Sequence, residues 1–167
     1  LFKAHQELAP GELLLSAWMF KFRFDDQRKV INELPELRDK LREWHGLFAK
    51  HGSNPKLKMV IGYSVYTTMI RAFLPDSIKP DSPECFEAFE NYLRACAKLM
   101  RDAGIPEHEY AFEVFDEPHG KNFERDLMVA RSARKALPEA NLIMTWAPHN
   151  FGYTPEMIRS FIPLVNY

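Results

Sequence analysis

Tyr110-Ala111-Phe112-Glu113-Val114-Phe115, followed at once by Asp116-Glu117-Pro118-His119-Gly120, is the stretch on which the fold turns. The first six residues are aromatic or apolar apart from one carboxylate. A short run of that kind reads as a strand. The next five are polar or turn-forming, and a Pro and a Gly among them break regular structure. A helical pattern then covers residues 122–137, with Phe123, Leu127, Ala130 and Ala133 on one face. Arg131, Arg134 and Lys135 lie near its C-terminus, where positive charge meets the negative end of the helix dipole. Strand, charged loop and helix make one β/α unit.

The same unit recurs on either side. Upstream, Ser82 is placed to cap a helix with Pro83 at its first position, and Phe86, Phe89, Leu93, Cys96 and Met100 form its apolar stripe. Gly104 and Pro106 stop it. Residues 57–66 read as another strand, followed by a long loop to Asp81 that holds Pro75 and Pro80. Val30, Leu34, Leu37, Leu41, Trp44 and Phe48 give helical spacing over 27–51, and Pro35 either kinks that stretch or starts a second helix. Leu13 to Phe20, after the Pro10-Gly11 turn, is a nearly continuous apolar run and reads as a first strand buried on both faces, as in a parallel sheet. Downstream, residues 141–146 form a fourth, Thr154-Pro155-Glu156 opens a helix, and Leu164 onward reads as a fifth strand. Strict alternation implies parallel strands with right-handed crossovers. The expectation is an α/β fold: a partial (β/α)8 TIM-type barrel of about four units, half the eight of a full ring. Residues 1–167 form one such domain, expected to be an excerpt of a longer chain. The rival is a doubly wound open sheet, and no strand here is followed by the Gly-rich phosphate turn such sheets often carry.

Bulk properties exclude several classes. With 46% apolar and 27% charged residues the composition is globular, and 167 residues suffice for a core. A formal net charge of −1, with Lys and Arg spread along helices, gives nucleic acid no footing. No apolar run reaches the roughly 18 residues of a membrane span, and no signal segment opens the chain. Cys85 and Cys96 are eleven residues apart in one predicted helix. That spacing separates them by roughly 16 Å, too far for a disulfide.

In parallel β/α folds the chemistry gathers at the C-terminal ends of the strands. Collected there are Asp116, Glu117 and His119 after the third strand, and Trp146, His149, Asn150 and Tyr153 after the fourth. Tyr63 and Tyr66 belong to the second strand, and Trp18 with Lys21 or Arg23 to the first. Carboxylates, imidazoles, an amide and aromatic rings on one rim suit a sugar, whose ring faces are apolar and whose edges carry hydroxyls. Adjacent carboxylates repel, so one is driven to hold its proton and can act as a general acid. Glu117, the longer, is the candidate acid. The plainer reading is that Asp116 caps the next helix and Pro118 shapes the turn. Glu113 lies four residues before Glu117, so an unbroken strand sets both on one face; a structural role for Glu113 is the simpler expectation. His119 and His149 with a carboxylate are a conceivable metal set, but no tight ligand spacing accompanies them, and no metal or other cofactor is expected. Trp44 and Cys96 read as core, and His5, His45, His51 and His108 as surface.

The stretch from Gly104-Ile105-Pro106 through Glu109 to Pro118 resembles the central strand of family-123 glycoside hydrolases and of related Asp-Glu-Pro barrel domains. Trp146-Ala147-Pro148 and Phe161 to Tyr167 are similar to that family's next two strands, so the likeness covers residues 84–167. That family, like family-20 hexosaminidases, cleaves β-linked N-acetylhexosaminides with help from the substrate's own acetamido group. The resemblance implies that Asp116 orients that acetamido group and that Glu117 protonates the leaving oxygen. It implies carbohydrate as the partner, with Trp146, His149, Asn150, His119, Tyr63 and Trp18 lining the subsite. It also implies a secreted or periplasmic setting, although no signal segment is present. Residues 112–120 also resemble the acid/base strand of family-5 cellulases and mannanases, which carry Asn-Glu-Pro where this chain has Asp116. A non-catalytic carbohydrate-binding barrel is the third reading. A half barrel leaves two strand edges open, and self-association through them is expected.

Overall fold

The computed structural model describes residues 13–51, 56–62, 64–115, 123–144 and 162–163. Five strands form one parallel sheet: β1 (Leu13–Ser16), β2 (Met59–Gly62), β3 (Tyr110–Phe115), β4 (Asn141–Met144) and β5 (Ile162–Pro163). Their order across the sheet is β1-β2-β3-β4-β5, the order of the sequence. Leu15 aligns with Ile61 and Ile61 with Phe112, and one face of each of these strands joins the main core. That core holds Leu15, Met59, Ile61, Tyr110, Phe112, Val114 and Leu142, packed against the helices. The opposite face is thinner. Val60, Ala111 and Ile143 cluster there with Leu57, while Leu14 on β1 is 53% exposed. The first strand is therefore not buried on both faces, as its composition implied.

It is also shorter than the Leu13–Phe20 run. Ser16 ends it by accepting the Trp18 N–H on its side-chain oxygen, and a 3-10 turn covers Ala17–Met19. The chain then runs as an extended strap. Phe20 and Phe22 are buried, and Phe24 pairs with Val30 in an isolated antiparallel bridge. Asp25 builds the turn between them, its carboxylate accepting from the Gln27 and Lys29 N–H groups at 2.9 and 2.8 Å. The predicted helix over 27–34 is thus absent. Leu34 precedes a proline, which disfavours helical backbone at that position. Helix α1 (Pro35–His51) starts with Pro35 as its first residue, one of the two outcomes foreseen. It buries Leu37, Leu41 and Phe48, with Trp44 only partly covered.

Two further differences follow β2. That strand is buried on both faces and ends at Gly62, not at Tyr66. A helix, α2 (Val65–Ala72), replaces part of the predicted loop. Ser64 caps it, and Val65, Tyr66, Thr68 and Met69 bury one side. Helix α3 (Pro83–Asp102) matches expectation at both ends. The Ser82 side chain accepts the Cys85 N–H at 3.2 Å. At the C-terminus, Gly104 (φ +80°) donates to the Arg101 carbonyl and Ile105 to that of Met100, a Schellman ending that needs a left-handed residue. Cys85 and Cys96 are both buried on α3 and unbridged. Helix α4 (Phe123–Ala136) packs on α3. Glu90 of α3, 6% exposed, joins the two through Lys135 at 2.8 Å and pairs with Arg94 of its own helix at 3.1 Å. The fifth strand lies at 162–163; residues 164–167, where it was expected, and the helix predicted after Thr154 lie outside the described residues.

Candidate active site

Glu113 is the one carboxylate in β3. Strands disfavour acidic residues, and burial of a carboxylate costs energy unless it is hydrogen-bonded. Glu113 is nonetheless 8% exposed. Its Oε2 accepts from the Ser64 N–H at 3.4 Å, across the gap between β3 and the end of β2. The room comes from Gly62: a Cβ there would stand 3.1 Å from that oxygen and 2.5 Å from Leu14 Cδ1. Ser64 itself is left-handed, with φ 49° and ψ 85°. That conformation costs a non-glycine residue about 1–3 kcal/mol and persists only where its surroundings hold it. Its hydroxyl stands 2.8 Å from Thr67 Oγ1 and 3.4 Å from the Val114 carbonyl.

At this point the sheet loses its even register. Glu113 aligns with Ile143, and Phe115 with the very next residue, Met144. Two residues of β3 thus advance for one of β4, a β-bulge at Val114. The period-two projection from Glu113 to Glu117 assumed an unbroken strand, and the bulge invalidates that step. Asp116, Glu117 and His119 lie outside the described residues, as do Tyr63, Trp146, His149, Asn150 and Tyr153.

Of the rim aromatics, Trp18 is described. It sits just past the C-terminal end of β1, 50% exposed, with its ring edge-on to Phe73 at 6.3 Å between centroids. A half-exposed indole fixed from one side is a serviceable platform for a flat apolar ligand face. Tyr66 is corrected from the rim to the core. It is 2% exposed on α2, donates its hydroxyl to Asp81 at 2.8 Å, stacks on Phe86 and meets Phe89 edge-on. Burial pushes its phenol well above the ordinary value. Lys21 and Arg23 keep exposed side chains, while Asn32 bridges their backbones. His45, expected on the surface, is half-buried and paired with Glu109.

Sequence reasoning missed Ser64. The signal was present, since Ser64 followed by Thr67 places a short polar cap three residues ahead of its partner. Two grooves lie beside the strap, one of about 400 Å³ against α3 and one of about 520 Å³ against residues 75–84, and none of the predicted site residues lines either. Among the described residues no group of His, Cys, Asp and Glu is set to hold a metal ion. No described helix is long and apolar enough to cross a membrane. Neither protein-family models nor curated proteins match the chain.

Proposed function

We propose that this chain is part of a (β/α) barrel and acts as a glycoside hydrolase on β-linked sugars, in particular N-acetylhexosaminides. Strand order supports the barrel. A doubly wound sheet reverses direction at a switch point, whereas these strands add on one side only. The thin inner cluster of Val60, Ala111 and Ile143 suits a barrel interior filled by layers of side chains.

One observation carries the site: β3 is the middle strand of the five, and its C-terminal residue, Phe115, directly precedes Asp116-Glu117. The tandem carboxylates then follow the strand end where parallel β/α folds gather their chemistry. In this reading Asp116 orients the 2-acetamido group, whose carbonyl oxygen attacks the anomeric carbon. The bond to the leaving oxygen breaks as Glu117 gives that oxygen its proton. Water then opens the cyclic intermediate and returns a proton to Glu117. Trp18 offers a ring face to the sugar, and Trp146, His149, Asn150, His119 and Tyr63 are the remaining contacts.

The test is hydrolysis of aryl β-glycosides, including N-acetylgalactosaminide and N-acetylglucosaminide, by the full-length protein beside Glu117→Gln and Asp116→Asn. Cleavage of an N-acetylhexosaminide is expected, with kcat falling roughly 10²–10⁴-fold in Glu117→Gln, the range for loss of a general acid. Asp116→Asn should be similarly impaired. Cleavage of plain glucosides or mannosides that tolerates Asp116→Asn moves the protein to the family-5 type. Cleavage of nothing leaves a carbohydrate-binding or structural barrel.

A further inference from the structure

We propose that Glu113 is a positioning residue of this same site, clamping the β2–α2 turn to the end of β3 and so setting where the chain departs towards Asp116 and Glu117. The inference rests on the glycosidase reading above. Three features converge on one spot. The buried Glu113 carboxylate takes the backbone N–H of Ser64. The Ser64 hydroxyl reaches the carbonyl of Val114, the residue that the bulge leaves without a β4 partner in the register. Gly62, on the strand beside, leaves the carboxylate its space.

Each has a direct consequence. A bulge bends its strand and disrupts the ladder, so the strand's direction there depends on what else holds it. Here two consecutive β3 residues grip one residue of the neighbouring rim, through its backbone and through its side chain. The grip falls two and three residues before Asp116. An apolar side chain at 113 would fill the space and leave the Ser64 N–H without this acceptor. A glutamine would keep an acceptor oxygen in place.

Steady-state kinetics of the full-length protein test this, on whichever aryl glycoside it cleaves. Glu113→Leu should lower kcat about 10²-fold, the effect of an ångström-scale misplacement of reacting groups, with KM little changed. Glu113→Gln should restore most of that kcat. Ser64→Ala, which removes only the hydroxyl, should lower kcat in the same sense at constant KM, and it carries the test if Glu113→Leu does not fold. Cleavage with kcat unchanged in all three variants overturns the positioning role and leaves the glycosidase reading standing. A rise in KM at constant kcat also overturns it, because it marks Glu113 as a ground-state binding group. No cleavage by the unaltered protein overturns both.

Discussion

Tyr110 opens β3, with its ring edge-on to Phe112 at 5.5 Å and only 3% of its surface exposed. Burial, with a smaller push from the Glu107 charge, raises its phenol from 10 to about 12. Between those values the unfolded chain has lost a proton that the folded one keeps. The contribution of Tyr110 is therefore complete below pH 10 and disappears as pH rises through about 12. Denaturant unfolding at stepped alkaline pH should show stability falling across that window. Tyr110→Phe should make the fall shallower, and an unchanged slope would remove Tyr110 from the account. At this scale the sequence was legible where a residue's own chemistry decides. Gly104 and Ser82 could be read as helix ends because their backbone freedom or hydroxyl sets the cap. Ser64 carries the same hydroxyl signal, but its left-handed backbone could not be read, since the groups that contact it, Glu113 and Val114, lie 49 and 50 residues away. Glu113 was readable as a buried carboxylate, but its phase relative to Glu117 was not, because nothing local announces the bulge.

Among the elements, the strap over residues 20–34 departs most from its reading. Val30 and Leu34 continue the spacing of the α1 stripe by coincidence, yet both belong to extended chain packed along α3. Phe22 meets the Tyr92 ring edge-on at 5.8 Å, Arg28 pairs with Glu87 at 2.7 Å, and Asn91 donates to the Arg28 carbonyl at 2.9 Å. Arg28 and Glu87 are substantially exposed, so that ion pair contributes little and the aromatic contact dominates. Phe22→Ala should cost about 3–5 kcal/mol, as for other large-to-small changes in a core. It should also open the strap to limited proteolysis before the rest of the domain. A loss no greater than that of an exposed substitution would show that the strap is not part of the cooperative core. α2 was missed for a related reason: Val65, Tyr66, Thr67 and Thr68 are strand formers by composition, and packing against Phe86 and Phe89 overrides that preference. β3 and α3 were legible because strong local signals and tertiary packing agree there.

Across the whole molecule, the alternation of strand and helix made the parallel sheet legible. The rim was legible only as a collection of side chains following strands. Among the described strands β1 is an edge, and the 53% exposure of Leu14 leaves part of its inner face bare. Open edges of that kind pair with one another. Sedimentation of residues 1–167 should show association that grows with concentration and weakens in Leu14→Lys. A compact monomer at every concentration would count against it. The strap carries a consequence for how the protein is made. Tyr92 donates to the Ala17 carbonyl across 75 residues, and Phe22 has its ring partner at the same distant place. A ribosome adding about 5–20 residues per second holds Phe20 and Phe22 in water for about 4–15 s before α3 emerges to cover them. During that interval the nascent chain presents an aromatic segment before its partners on α3 exist, which gives a chaperone purchase there.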